Sequence, residues 1–165
     1  DVPPENTKKG LVEKKEEEQI SYLEDAEIKS IKFILASLLE RKNYANFDFD
    51  LKKYLINPIY VQLYDLMKEY KNNGQTLLKS TLYDRFDVDN EPNLKDIIDY
   101  NFEEITNPEE YYNECVWKIR ETYLKQVLKK QSELFSCESD TKKRLEIAQE
   151  ISQTQKKLRN RILED

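Results

Sequence analysis

Two pairs of adjacent acids, Glu103-Glu104 and Glu109-Glu110, are the residues whose type and spacing come nearest to chemistry, because general acid–base work uses paired carboxylates. The second pair follows Asn107-Pro108, where acids stabilise a helix N-terminus, and capping with solvation accounts for both pairs. Histidine is absent, which removes imidazole bases, Ser-His triads and most zinc sites together. The only cysteines, Cys115 and Cys137, are too few for a disulfide framework or a CxxC metal site, and they fit a reducing cytoplasm. No catalytic residue, metal ligand or cofactor is assigned, and the chain is expected not to be an enzyme.

Binding chemistry is the remaining option. Tyr111, Tyr112, Trp117 and Tyr123 could stack bases, but at helical spacing they read as core. Lys129-Lys130 and Lys142-Lys143-Arg144 could touch phosphate, although a net charge of −6 sets the overall field against it. Solvated helix faces carry such residues routinely, and they could instead steer an acidic partner surface.

Positioning any of these groups falls to helices. Gly is 2 and Pro is 5, too few turn formers for a many-stranded β fold, while Leu, Ile, Lys and Glu dominate. Charged residues reach 36%, and an apolar run such as Ile31 to Leu39 is broken by Lys32 and Ser37, well short of the roughly 20 residues a bilayer requires. A soluble chain with no membrane partner is expected. The 165 residues are enough for a core plus an appendage, and with Asp1 in place of an initiator Met they read as part of a longer protein.

Residues 1–21 hold Pro3-Pro4 and the run Lys14-Lys15-Glu16-Glu17-Glu18 with little to bury, and are expected to be a flexible charged linker. The pattern from Ile28 through Ile31, Phe33, Ile34, Leu35, Leu38 and Leu39 predicts a central helix ending near Arg41. A short helical segment follows Asp48. Asn57-Pro58 is a start signal and Gly74 a stop, which predicts a helix from 58 to about 72. Leu77 to Phe86 and Leu94 to Phe102 mark two short helices. Asn107-Pro108-Glu109-Glu110 opens a long one, with Glu110 placed to complete a capping box. Ser139 or Asp140 caps a last helix, expected to run to about Leu163.

The fold class is therefore all-α, a small bundle of about five to six helices over 22–128, followed by a protruding C-terminal helical hairpin over 129–165. Length forces the protrusion. A helix from 108 to 135 extends roughly 42 Å, whereas a unit of about 110 residues is only about 35 Å across. Distal apolar side chains can then be covered only within the hairpin or by another macromolecule, since an isolated two-helix unit is marginal in water. The candidate partner-binding residues are Leu134, Phe135, Leu145, Ile151, Leu158, Arg159, Ile162 and Leu163, with those nearest the C-terminus expected to dominate affinity.

Several segments resemble the C-terminal, helicase-binding domain of bacterial DNA primase of the DnaG type. They are Asp25-Ala26-Glu27 with Ile34-Leu35-Ala36-Ser37-Leu38-Leu39, and Asn57-Pro58-Ile59-Tyr60 with Leu63-Tyr64-Asp65-Leu66. Tyr111-Tyr112-Asn113-Glu114-Cys115, Ile119-Arg120, Ala148-Gln149-Glu150-Ile151, Gln155 and Lys157-Leu158-Arg159 continue the likeness, which spans about residue 22 to the end. The resemblance implies a helical bundle with a terminal hairpin that docks onto the N-terminal domains of the hexameric, DnaB-type replicative helicase. It would recruit primase for RNA primer synthesis at the fork and modulate the helicase, in a bacterial cytoplasm, as a monomer without direct nucleic-acid contact. The zinc ligands and acidic metal cluster used for RNA synthesis in that family do not occur here. Three alternatives stay open: the N-terminal domain of the replicative helicase itself, a helical nucleic-acid-binding domain working through Lys142 to Arg144, and a module that dimerises through the hairpin. The first core helix without glycine and the absence of a His-containing segment at Pro58-Ile59-Tyr60 favour the primase resemblance over the helicase one.

Overall fold

Apolar residues on every side of one helix require that it be surrounded, and the segment following Ile28 has that pattern. The computed structural model describes residues 25–165; the linker expected over 1–21, and residues 22–24 of the expected bundle, lie outside them. Helix α1 runs over 25–39, with Phe33, Leu35 and Ala36 wholly buried and Ile31, Ile34, Leu38 and Leu39 nearly so. Five further helices follow: α2 (Pro58–Asn72), α3 (Lys79–Arg85), α4 (Pro92–Ile98), α5 (Pro108–Cys137) and α6 (Thr141–Arg159). Single 3₁₀ turns lie at Leu51–Tyr54 and Val88–Asn90. No strand occurs among the described residues, and the all-helical expectation is met.

Local chemistry sets the ends. The Asn57 side chain accepts from the Ile59 amide at 3.0 Å, with Pro58 supplying a helical φ and no surplus donor. Asn107 accepts from the Glu110 amide at 3.4 Å and donates its side-chain amide to the Glu110 carboxylate at 3.0 Å. Glu110 thus closes the cap on the Asn107 side chain rather than on its backbone N–H. Three helices end alike, with the amide two residues past the cap bonded back to a carbonyl five residues earlier: Lys42 to Ser37, Gln75 to Tyr70 and Ile162 to Lys157. The left-handed residue this requires is Gly74 in α2, but Arg41 in α1 (φ 53°) and Arg161 in α6 (φ 50°).

Two expected extents are corrected. Helix α4 ends at Ile98, before Phe102, because the Asn101 side chain captures the Glu103 amide at 3.0 Å and turns the chain. Helix α6 ends at Arg159 instead of near Leu163, because the left-handed Arg161 turns the chain off the helix axis.

Aromatic rings converge on Phe33, the hub of the core. Tyr111 meets it edge-on at 4.6 Å between centroids, with Tyr100 at 5.6 Å, Phe102 at 5.9 Å and Tyr112 at 6.3 Å. Edge-to-face geometry brings positive ring edges onto negative faces and adds to the gain from burial. Tyr112 is buried in the core and Tyr123 packs against it, edge-on to Tyr54 at 5.2 Å, as expected, whereas Tyr111, 39% exposed, meets Phe33 from the surface. Burial raises the phenol pKa of Tyr60, Tyr64, Tyr100 and Tyr112, and pushes that of Tyr111 up to about 12.

A raised phenol pKa means that, above the ordinary value of 10, the unfolded chain has released protons that the folded chain still holds. Stability from this source is complete below pH 10 and is lost as pH climbs toward about 12. Denaturant titrations should give a flat stability between about pH 7 and 9 and a steep fall above 10. Ionisation of Tyr60, Tyr64, Tyr100, Tyr111 and Tyr112 should accompany loss of helical circular dichroism; tyrosinate absorbance reaching that of all eleven tyrosines with the helices intact would contradict this.

Candidate functional site

Helix α5, with 30 residues, extends roughly 45 Å at 1.5 Å per residue. Its first half enters the core through Tyr112, Cys115, Val116 and Ile119. No α5 residue beyond Leu124 is buried, so the helix continues past the body that holds it. Helix α6 turns back at Glu138–Asp140 and packs antiparallel on α5. The Asp140 side chain caps it, accepting from the Lys142 amide at 3.3 Å.

On α6, Ile147, Ile151, Thr154 and Leu158 recur at helical spacing among its covered positions. Opposite them stand Leu124, Leu128, Gln131 and Phe135. The seam is partly polar: the buried Thr154 hydroxyl donates to Gln131 Oε1 at 2.9 Å, with the Glu150 carbonyl a second acceptor at 3.1 Å. Near the turn, the Arg144 guanidinium lies 4.3 Å from the Phe135 ring centroid and donates to the Glu138 carbonyl at 3.0 Å.

At the opposite end the chain beyond α6 is held against the body. Arg120 is fully buried and uses three nitrogens: Nε donates to the Ile162 carbonyl at 3.0 Å, Nη2 to the Glu164 carbonyl at 2.9 Å and Nη1 to Tyr54 Oη at 3.1 Å. Nη1 also lies 3.0 Å from the Asp165 carboxylate, which pairs in addition with Lys53. Those contacts, Lys53 foremost, lower the Asp165 pKa. Arg161 bonds Glu114 at 2.9 Å and covers Trp117 at 5.4 Å. Trp117 is buried, as the core expectation has it, with the returning chain as its cover.

The eight candidate partner-binding residues fall into separate places. Leu134 and Leu145, 62% and 61% exposed, stand near the distal turn. Phe135 is half covered by Arg144, and Ile151 and Leu158 are half-buried on the seam. Arg159 is exposed at the end of α6, while Ile162 and Leu163 lie past the helix in the segment held by Arg120. An antiparallel return places Leu158, Arg159 and the exposed Ile162 and Leu163 at the body end of the hairpin, apart from Leu134, Phe135 and Leu145 near the turn. The α5 helix also runs unbroken through 128–129, the boundary expected between bundle and hairpin.

Sequence reasoning missed Ile147, four residues before Ile151 and detectable by that spacing. It also missed Arg120, for which no local signal exists. Glu103, Glu104, Glu109 and Glu110 are all exposed. No group of three or more His, Cys, Asp or Glu among the described residues could hold a metal ion, and no described helix is long and apolar enough to cross a membrane. No protein-family model, curated protein or solved structure is found to match the chain.

Replacing Arg120 with Met keeps most of the side-chain volume but removes every donor. The loss should be about 2–4 kcal/mol, within the range for breaking buried charged hydrogen bonds. Amide exchange should accelerate over 160–165 while α2 to α4 keep their protection. Unchanged exchange in that segment would show that Arg120 does not hold it.

Proposed function

We propose that this chain is a non-catalytic docking module that holds another protein through the distal half of the α5–α6 hairpin. The supporting observation is that α5 outruns the core and carries the exposed Leu134 to its far end, with Leu145 exposed just across the turn. Exposed Lys129, Lys130, Lys142 and Lys143, interspersed with exposed Glu133, Asp140 and Glu146, give that end a charged rim around an apolar contact. Helix-in-groove binding uses such anchors at the end of a rigid element.

The partner in this reading is the N-terminal domain of a hexameric, DnaB-type replicative helicase, and the chain is the helicase-binding domain of a bacterial DNA primase, bringing primer synthesis to the fork. The segment resemblances to that domain support it, as does the order of a helical body followed by a hairpin. Leu158 packs on α5, and Ile162, though exposed, lies at the body end of the hairpin and away from the tip, so neither heads this contact. Leu134 and Leu145 take that place.

Titration of the chain against a purified N-terminal domain of a bacterial hexameric helicase tests this. Saturable binding is expected, weakened about tenfold or more in Leu134→Asp/Leu145→Asp. Because both positions are exposed, the melting temperature should stay within about 2 °C of the parent. No binding, or full affinity in the double variant, would sink the reading. So would preferential, steeply salt-dependent capture of an oligonucleotide that Lys142→Glu/Lys143→Glu abolishes.

A further inference from the structure

Away from the hairpin, the ends of α1 and α2 meet in a cleft of about 320 Å³. Buried Leu38, Leu39, Met67 and Leu77 line it together with Phe47 and Tyr70. Its charged lining residues are Arg41, Lys42 and Lys71, and no carboxylate lines it. That concentration of positive charge stands in a chain of net charge −6. None of the three cations enters an ion pair among the described residues. Lys42 and Lys71 are instead held over aromatic rings, 4.6 Å from Phe102 and 4.9 Å from Phe47. A cation over a ring keeps its charge available while its position is constrained.

Helix C-termini attract cations, which accounts for Lys42 and Lys71 without any ligand. Arg41 is different. It occupies the left-handed position that closes α1, where Gly74 closes α2 free of strain. Its guanidinium makes no hydrogen bond, ion pair or ring contact among the described residues. Arg161 stands at the same position after α6, with the same hydrogen-bond pattern and nearly the same φ. That arginine is engaged, bonding the Glu114 carboxylate at 2.9 Å and covering the Trp117 ring at 5.4 Å. Two arginines in one unfavourable backbone geometry thus differ in a single respect: one has a carboxylate and an aromatic ring, and the other faces a basic-rimmed apolar cleft.

We propose that the cleft between the ends of α1 and α2 binds a short acidic segment of another protein, an aromatic side chain entering the apolar floor and flanking carboxylates pairing with Arg41, Lys42 and Lys71. The volume lies at the lower end of the range for ligand sites and suits one ring. The floor is largely aliphatic, whereas single-stranded nucleic acid is held on aromatic platforms. This contact is independent of the hairpin and adds a second point of attachment.

A fluorescein-labelled heptapeptide with one central Phe flanked by Asp and Glu is the probe, titrated with the full chain by anisotropy. Saturable binding is expected, weakening with added salt and when the Phe is replaced by Ser. Arg41→Gly should weaken it about tenfold, with a melting temperature unchanged or raised because the left-handed strain is relieved. Lys71→Glu should weaken it further, and Leu134→Asp/Leu145→Asp should leave it unaltered. Failure to saturate at about 1 mM chain overturns the proposal, as does full affinity in Arg41→Gly. Loss of binding in the hairpin variant would place the contact elsewhere and overturn it too, and tighter Arg41-dependent binding of single-stranded DNA would replace the peptide as ligand.

Discussion

A guanidinium cannot be buried without partners, and Arg120, wholly enclosed on the inner face of α5, finds them on two separate parts of the chain. One is Tyr54, in the 3₁₀ turn that joins the core to α2; the other is the segment after α6, through two backbone carbonyls and Asp165. Desolvating the cation is tolerable only while both are in place. The end of the chain is thereby fixed against the body, and with it the returning end of α6.

That tie matters because the hairpin has little to hold it otherwise. Its seam is narrow and partly polar, with Thr154 and Gln131 where a more cohesive pair of helices would place Leu or Ile. Two helices packed only on each other sit near the limit of stability in water. Anchoring α5 in the core at one end and α6 through Arg120 and Arg161 at the same end leaves the turn at 138–140 as the free extremity. Such a mount holds the arm at its base and leaves its tip covered only by the facing helix.

Helix ends carry more than termination in this chain. The three closures built on a left-handed residue use glycine once and arginine twice. Arginine there costs backbone strain, so its side chain has to be accounted for by what it touches. Arg161 secures the returning chain to Glu114 and Trp117, whereas Arg41 lies at the edge of a cleft whose charge is opposite to that of the whole protein.

Local chemistry made much of this fold readable from the sequence. Asn57-Pro58 and Gly74 bounded α2, Asn107-Pro108 opened α5, and Asp140 capped α6, because caps and stops depend on residues within one turn of each other. The all-round apolar pattern of α1 likewise marked a surrounded helix, and the length of α5 implied that it must leave the body. Tertiary structure decided the rest. Which apolar side chains end up at the tip depends on the antiparallel return of α6, which packed Leu158 on α5, carried the still exposed Ile162 and Leu163 to the body end and left Leu134 and Leu145 near the turn. Arg120 looks like any exposed helical arginine until Tyr54, Ile162, Glu164 and Asp165, separated by tens of residues, are brought around it. A periodicity reports the face a residue occupies, but only packing determines what that face meets.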